Sequence, residues 1–189
     1  MIDFVDLSQP AEAVAPLLIG SLFVRDLGAE QLIGRIVEVE AYSQIDAASH
    51  SYKGRTPRTD IMFGPSGHLY VYFTYGMHYC CNIVTGQAGE GSAVLIRAIE
   101  PIEGLPVMKR NRGGVIDSQL TNGPAKLCQA LRIDKKLNGH DLSKSPLKLT
   151  EGQTVLSKDI VTTTRIGITR DTHRLWRFYD RNSQWVSKT

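Results

Sequence analysis

The chain has 189 residues, 42% of them hydrophobic, with 22 Lys and Arg against 19 Asp and Glu for a formal charge of +3. That is enough for one well-filled core and too little for two ample domains, so residues 1–189 are expected to form a single domain. The balance is too mildly basic to bind a polyanion by bulk charge, and three cysteines, two of them adjacent, exclude a disulfide scaffold and fit reduced thiols in an intracellular protein.

In chain order, Pro10 opens a helix to about Ile19, with Gly20 as its stop. The apolar run from Ala13 to Val24 is neither a signal peptide nor a membrane span. Asp3, Asp6 and Glu12 precede it where positive charge is needed, and Gly20 interrupts it. SLFVRDL and QLIGRIVEVEAY then flank the turn Gly28-Ala29-Glu30 as a hairpin. Along a strand, side chains two apart share a face and repeat at roughly 6.6 Å. Ile36, Glu38, Glu40 and Tyr42 therefore point one way and Val37, Val39 and Ala41 the other. The apolar set belongs in a core, which aims Glu40 and Tyr42 at a surface or cleft. An isolated run of this kind is more often a half-solvated strand, so its neighbours decide.

Those neighbours are a long loop and an aromatic hairpin. The loop from Ser43 to Gly67 carries His50 together with Gly54, Pro57, Gly64 and Pro65, and its length marks it as functional or mobile. HLYVYFTY places Leu69, Val71 and Phe73 on one face and Tyr70, Tyr72 and Thr74 on the other. Tyr75, followed by Gly76, falls at the tip of a turn, and on the return strand His78, Cys80, Asn82 and Val84 share a face. By itself an aromatic-rich hairpin is more often packing than recognition. Next to a strand carboxylate, an aromatic and a loop histidine, it reads as equipment for hydrolysis at a planar ring.

Downstream, Arg97 lies in the apolar strand Ala93 to Ile99 and needs an anionic partner. Glu40 is the first candidate; Glu38 or Glu100 would make it a structural bridge. A helix is expected from about Ile102 to Arg112 and a second from Gly123 to Leu131, with Pro124 early in it. KLT, TVLSKDIVTTTRIGIT and LWRFYD read as strands. The result is a mixed α/β (α+β) domain: a curved, largely antiparallel β-sheet flanked by helices, with a protruding Tyr-tipped β-hairpin. Three basic clusters offer charge by placement: Lys53, Arg55 and Arg58; Lys109, Arg110 and Arg112; Arg170, Arg174 and Arg177. His50, His68 and His78 lack ligand spacing and no C-x-x-C or H-E-x-x-H occurs, so no metal is expected. Gly86, Gly89 and Gly91 do not form a dinucleotide fingerprint and there is no Walker loop, so no cofactor is expected either.

Taken together, RIVEVEAY, AASHSYKGRTPRTDIMFGPSGHLYVYFTYGMHYCCN, IRAIEP, GPAKLCQAL, RIGIT and RFYDRNSQWVS resemble the alkyladenine (3-methyladenine) DNA glycosylase family from about Pro10 to Ser187. The resemblance implies a monofunctional base-excision-repair enzyme that flips alkylated or deaminated purines out of duplex DNA and hydrolyses the N-glycosidic bond. It implies that Glu40 is the general base and that Arg97 helps hold the attacking water. Tyr42, His50 and Tyr72 match the residues that contact the extruded base, and Asn82 the one that bars guanine's amino group. Tyr75 matches the side chain inserted into the duplex, and Ile166 to Ile168 the strand closing the water site. The implied partner is double-stranded DNA with a damaged purine, met by a monomer at the DNA, in cytoplasm, nucleoid or nucleus, with no membrane involved.

Two other readings remain. Glu38 and Glu40, about 6.6 Å apart by strand rise, fall near the roughly 6.5–9.5 Å carboxylate separation of inverting glycoside hydrolases. Alternatively, Tyr70, Tyr72 and Tyr75 could form a stacking platform of a nucleic-acid-binding module without catalysis, although such a module gains nothing from a carboxylate beside its stacking face.

Overall fold

The strands of this chain join into one antiparallel sheet. The computed structural model describes residues 2–74 and 76–187; Tyr75, the expected hairpin tip and inserting residue, lies outside the described residues. The chain enters through a single α-turn, α1 (Ala11–Val14), that tightens into a 3-10 turn at Ala15–Leu18. The expected helix to Ile19 is thus α-helical only at its start, because Pro16 has no N–H to give the carbonyl one turn back.

The strands are β1 (Leu22–Asp26), β2 (Gln31–Ser43), β3 (Leu69–Thr74), β4 (His78–Val84), β5 (Ser92–Glu103), β6 (Leu147–Thr150), β7 (Ile160–Thr163) and β8 (Arg177–Asp180), with helices α2 (Leu105–Asn111) and α3 (Pro124–Ala130) between β5 and β6. The sheet runs β3-β4-β5-β2-β1-β6, and β8 joins it on β2 with β7 beyond. Every strand pairing is antiparallel.

The long strand β2 organises the molecule. β5 follows one edge from Ile33 to Ser43, whereas the other edge is shared: β1 takes residues up to Arg35, and β8 takes Glu38 to Glu40. The register with β5 slips between Ile36 and Glu38 and again between Glu38 and Val39, so Val37 and Arg97 have no direct partner across the ladder. Ile36 consequently packs in the same core as Val37, Val39 and Ala41 instead of sharing the glutamates' face, because strict alternation fails at a bulge.

The main core joins Phe23 and Leu32, the apolar face of β2, Leu69 and Val71, Val94 and Ile96, and Leu127 with Cys128 of α3. Each such side chain contributes roughly 1.5–3 kcal/mol by burial. A satellite cluster of Met62, Phe63, Tyr70, Val84 and Ala93 anchors the long loop to the hairpin.

Two expected boundaries move. α2 starts at Leu105 instead of Ile102, since Pro101 and Glu103 still face Gly34 and Ile33 in the sheet. Gly104 makes the turn at φ +79°, and a Cβ there would stand 2.3 Å from the Leu32 side chain, so glycine is required. Of TVLSKDIVTTTRIGIT only Ile160–Thr163 is strand, and Ile166 to Ile168 form an irregular segment.

Candidate functional site

A cleft of about 380 Å³ opens where β2 to β5 meet the long loop and the segment after β7. Tyr42, His50, Tyr72, Asn82 and Arg97 all line it, so five of the sequence-expected residues converge although they span four strands and a loop. Glu40 is fully buried immediately behind this wall. Its Oε2 accepts from the Tyr42 hydroxyl at 2.8 Å and from Arg97 Nη1 at 3.3 Å, and its Oε1 accepts the Ile166 amide at 2.7 Å. Three of the roughly four acceptor positions of a carboxylate are therefore taken, leaving one on Oε1.

The fork in the sheet explains how two glutamates can be buried together. Arg97 on β5 gives Nε to Glu38 Oε1 at 3.2 Å while Nη1 reaches Glu40, so both candidate partners hold it at once. Burial alone would lower this guanidinium's pKa, but Glu40 and then Glu38 raise it. The third expected candidate, Glu100, pairs with Arg35.

Glu38 is not free for chemistry. Arg177 Nε of β8 meets Oε1 at 2.6 Å, and Ser187 adds its hydroxyl to Oε1 at 2.8 Å and its amide to Oε2 at 2.7 Å. With Arg97, Arg177 and the Ser187 hydroxyl on Oε1 and the Ser187 amide on Oε2, its acceptor positions are taken up by structural partners, which argues against a second carboxylate of an inverting pair. Arg177, expected in a solvent-facing basic cluster, is buried for the same reason.

Aromatic rings line the mouth. Tyr70 and Tyr72 share the pocket face of β3, their centroids 5.7 Å apart. His50 sits edge-on to Tyr72 at 4.6 Å, with Nδ1 3.1 Å from the Tyr70 hydroxyl. His50 is exposed as a whole residue, yet enough of its ring is covered that burial, with the Arg58 charge second, lowers its pKa to about 4. The imidazole is neutral at physiological pH and does not repel a cation. Burial, with Glu40 second, pushes the Tyr42 hydroxyl far above the phenol range, so it remains a donor. Burial likewise raises the Cys80 thiol to about 11, which makes it a poor nucleophile. Asn82 is buried and gives Nδ2 to the Tyr70 carbonyl at 3.2 Å while still lining the cleft.

The glycine-rich stretch after β4 holds the His50 turn in place. Ser51 Oγ bonds the Gly91 carbonyl at 2.8 Å, and a Cβ on Gly91 would stand 2.5 Å from Ser51 and 2.6 Å from Phe63. The strand pattern did not single out Asp46, Arg165 or Ser187 for the site. Asp46 and Arg165 are 119 residues apart in an ion pair, and no local motif signals such a contact.

Residues 5–184 match the family model described as methylpurine-DNA glycosylase. A protein of Carboxydothermus hydrogenoformans is 53% identical over 93% of this chain and 92% of its own length. One of Methanoculleus marisnigri is 49% identical over 82% of each chain, and one of Mesorhizobium japonicum 46% identical over 96% of this chain and 88% of its own. All three bear the name "Putative 3-methyladenine DNA glycosylase".

Proposed function

Because this chain belongs to the methylpurine-DNA glycosylase family, we propose that it flips damaged purines, alkylated or deaminated, from duplex DNA into the Tyr42 cleft and releases them with a water activated by Glu40. It is a hydrolase, an N-glycosylase of base excision repair that acts on methylated purines in DNA. The arrangement of Glu40 carries the reading of mechanism. It is a carboxylate behind an aromatic cleft, held by Tyr42, Arg97 and the Ile166 amide, with one acceptor position left on Oε1.

A base in a duplex cannot present its glycosidic bond to a buried carboxylate, so it must leave the stack, at a cost of a few kcal/mol. Stacking on aromatic faces returns roughly 1–3 kcal/mol per base. Tyr42, Tyr72 and His50 supply those surfaces. Water held by Glu40 and Arg97 attacks C1′ and its proton passes to Glu40. The C1′–N bond breaks, and its electron pair leaves with the base. An N-methylated purine is already cationic and departs neutral, so the protein need only support positive character on the sugar, which the Glu40 carboxylate does. Asn82 at the wall is the group that a C2 amino substituent would meet. Tyr75, by its place in the sequence between β3 and β4, is the residue assigned to fill the vacated stack.

Glu40→Gln keeps shape and removes the base. Excision from a 3-methyladenine duplex is expected to fall about 10²–10⁴-fold with binding to the lesion duplex retained. Near-normal release of abasic sites by this variant would sink the mechanism.

A further inference from the structure

One buried cation near the cleft has no part in the mechanism so far. Arg165 has no exposed side-chain surface and, unlike Arg97, does not line the cleft. Both terminal nitrogens grip Asp46, itself fully buried, with Nη2 2.9 Å from Oδ1. Nη1 also donates to the Ala41 carbonyl at 2.9 Å, between Glu40 and Tyr42 in the chain. The guanidinium lies 4.6 Å from the Tyr42 ring centroid and 5.3 Å from that of Trp176. Tyr42 lines the cleft and Arg165 does not. The next residue, Ile166, is the one whose amide holds Glu40 Oε1. Asp171 meanwhile accepts the Ala47 amide at 2.9 Å, so the loop before His50 and the segment after β7, both of which reach the cleft lining, are fastened together.

We propose that Arg165, gripped by Asp46, is a positioning and specificity-determining residue that holds the Ile166 amide on Glu40 and sets, from behind, the charge preference of the Tyr42 face that receives the base. The proposal rests on the base-stacking reading of Tyr42 given above. A buried ion pair is a weak source of stability, since apolar side chains of similar volume often do as well. Its value here lies in what it aims. A cation on one face of an aromatic ring draws on the same π-electron density that would attract a cation to the other. Tyr42 backed by a guanidinium therefore favours a cationic purine less than a bare tyrosine would, and neutral lesions are handled on more equal terms. Asp46 balances the charge at long range without removing the 4.6 Å contact.

The test is a ratio measured within one protein preparation, which active fraction does not affect. Single-turnover excision rates and dissociation constants are measured on duplexes carrying 3-methyladenine, a cation with only hydrogen at C2, and hypoxanthine, which is neutral. Arg165→Gln should slow excision about tenfold through lost positioning. It should also move the cation-to-neutral ratio about fivefold towards the cation, in rate or in binding, from the size of a partly desolvated cation–π contact. Arg165→Met combined with Asp46→Asn removes both charges at similar volume and should shift the ratio in the same direction, which covers a failure of the single variant to fold. Arg165→Lys keeps the charge and loses the fork, so its rate should fall while its ratio stays within about twofold of the parent. A ratio unmoved in the charge-removing variants overturns the inference. Glu40→Gln run alongside keeps the two claims apart: if it still excises, the mechanism falls, and if it is inert while the ratios do not move, only the role of Arg165 falls.

Discussion

Asn82 carries two possible duties that a single substitution separates. One amide proton is committed to the Tyr70 carbonyl, directly across the ladder, and the rest of the side chain meets the cleft. A purine with an amino group at C2 would press that donor against the remaining amide, whereas hypoxanthine and adenine-derived bases carry only hydrogen there. Asn82→Ser should open space and raise excision of guanine lesions relative to hypoxanthine by roughly tenfold or more. Should that ratio stay fixed, Asn82 serves the strand backbone alone. Strand alternation placed Asn82 beside Cys80 on the face that now lines the cleft, and it placed Tyr42 beside Glu40 in the same way. Alternation is a local property and needs no knowledge of partners. Asp46, Arg165 and Ser187 escaped it because they act through contacts 119 to 149 residues apart.

At the level of elements, the decisive event is the arrival of β8 against the middle of β2, where β1 has already peeled away. The hydrophobic pattern made Leu175 to Asp180 a strand without saying which edge it would join. It also read the glutamate row as half-solvated in isolation, although Glu38 is enclosed by arginines from two neighbouring strands. The β1–β2 hairpin and the starts of α1 and α3 were legible because a turn glycine and early prolines signal them locally, whereas α2 begins three residues later than its pattern suggested. The β2–β8 pairing was not, since antiparallel edges carry no address of their own. Arg177→Ala tests how much this junction matters: it strips Glu38 of one buried partner and should cost about 3–5 kcal/mol in denaturant unfolding. A loss under about 1 kcal/mol, within the range of a surface pair, would show that Arg97 and Ser187 suffice.

For the molecule as a whole, the sheet sets which cations are left to meet a phosphate backbone. Arg55 pairs with Asp60, Lys109 with Asp117 and Arg110 with Glu30, and Arg177 is inside. Arg58 instead stands 5.8 Å from the ring of Tyr72, a residue of the cleft lining, and so adds a positive charge near it. The nucleophile proposed is water activated by Glu40, and no lysine lines that cleft among the described residues to offer an amine for a Schiff base. Treated lesion duplexes should therefore keep an intact strand until alkali or heat is applied, and borohydride should trap no adduct; a trapped protein–DNA species would overturn the assignment of water. The closure of Glu38 by Ser187 also has a meaning in time. The carboxylate is synthesised 149 residues before the amide and hydroxyl that cap it, an interval of roughly 7–30 s at ribosomal speed. Until Ser187 emerges, Glu38 lacks two of the donors that close it, although Arg97 and Arg177 are already made, so its burial is completed by one of the latest contacts in the described chain.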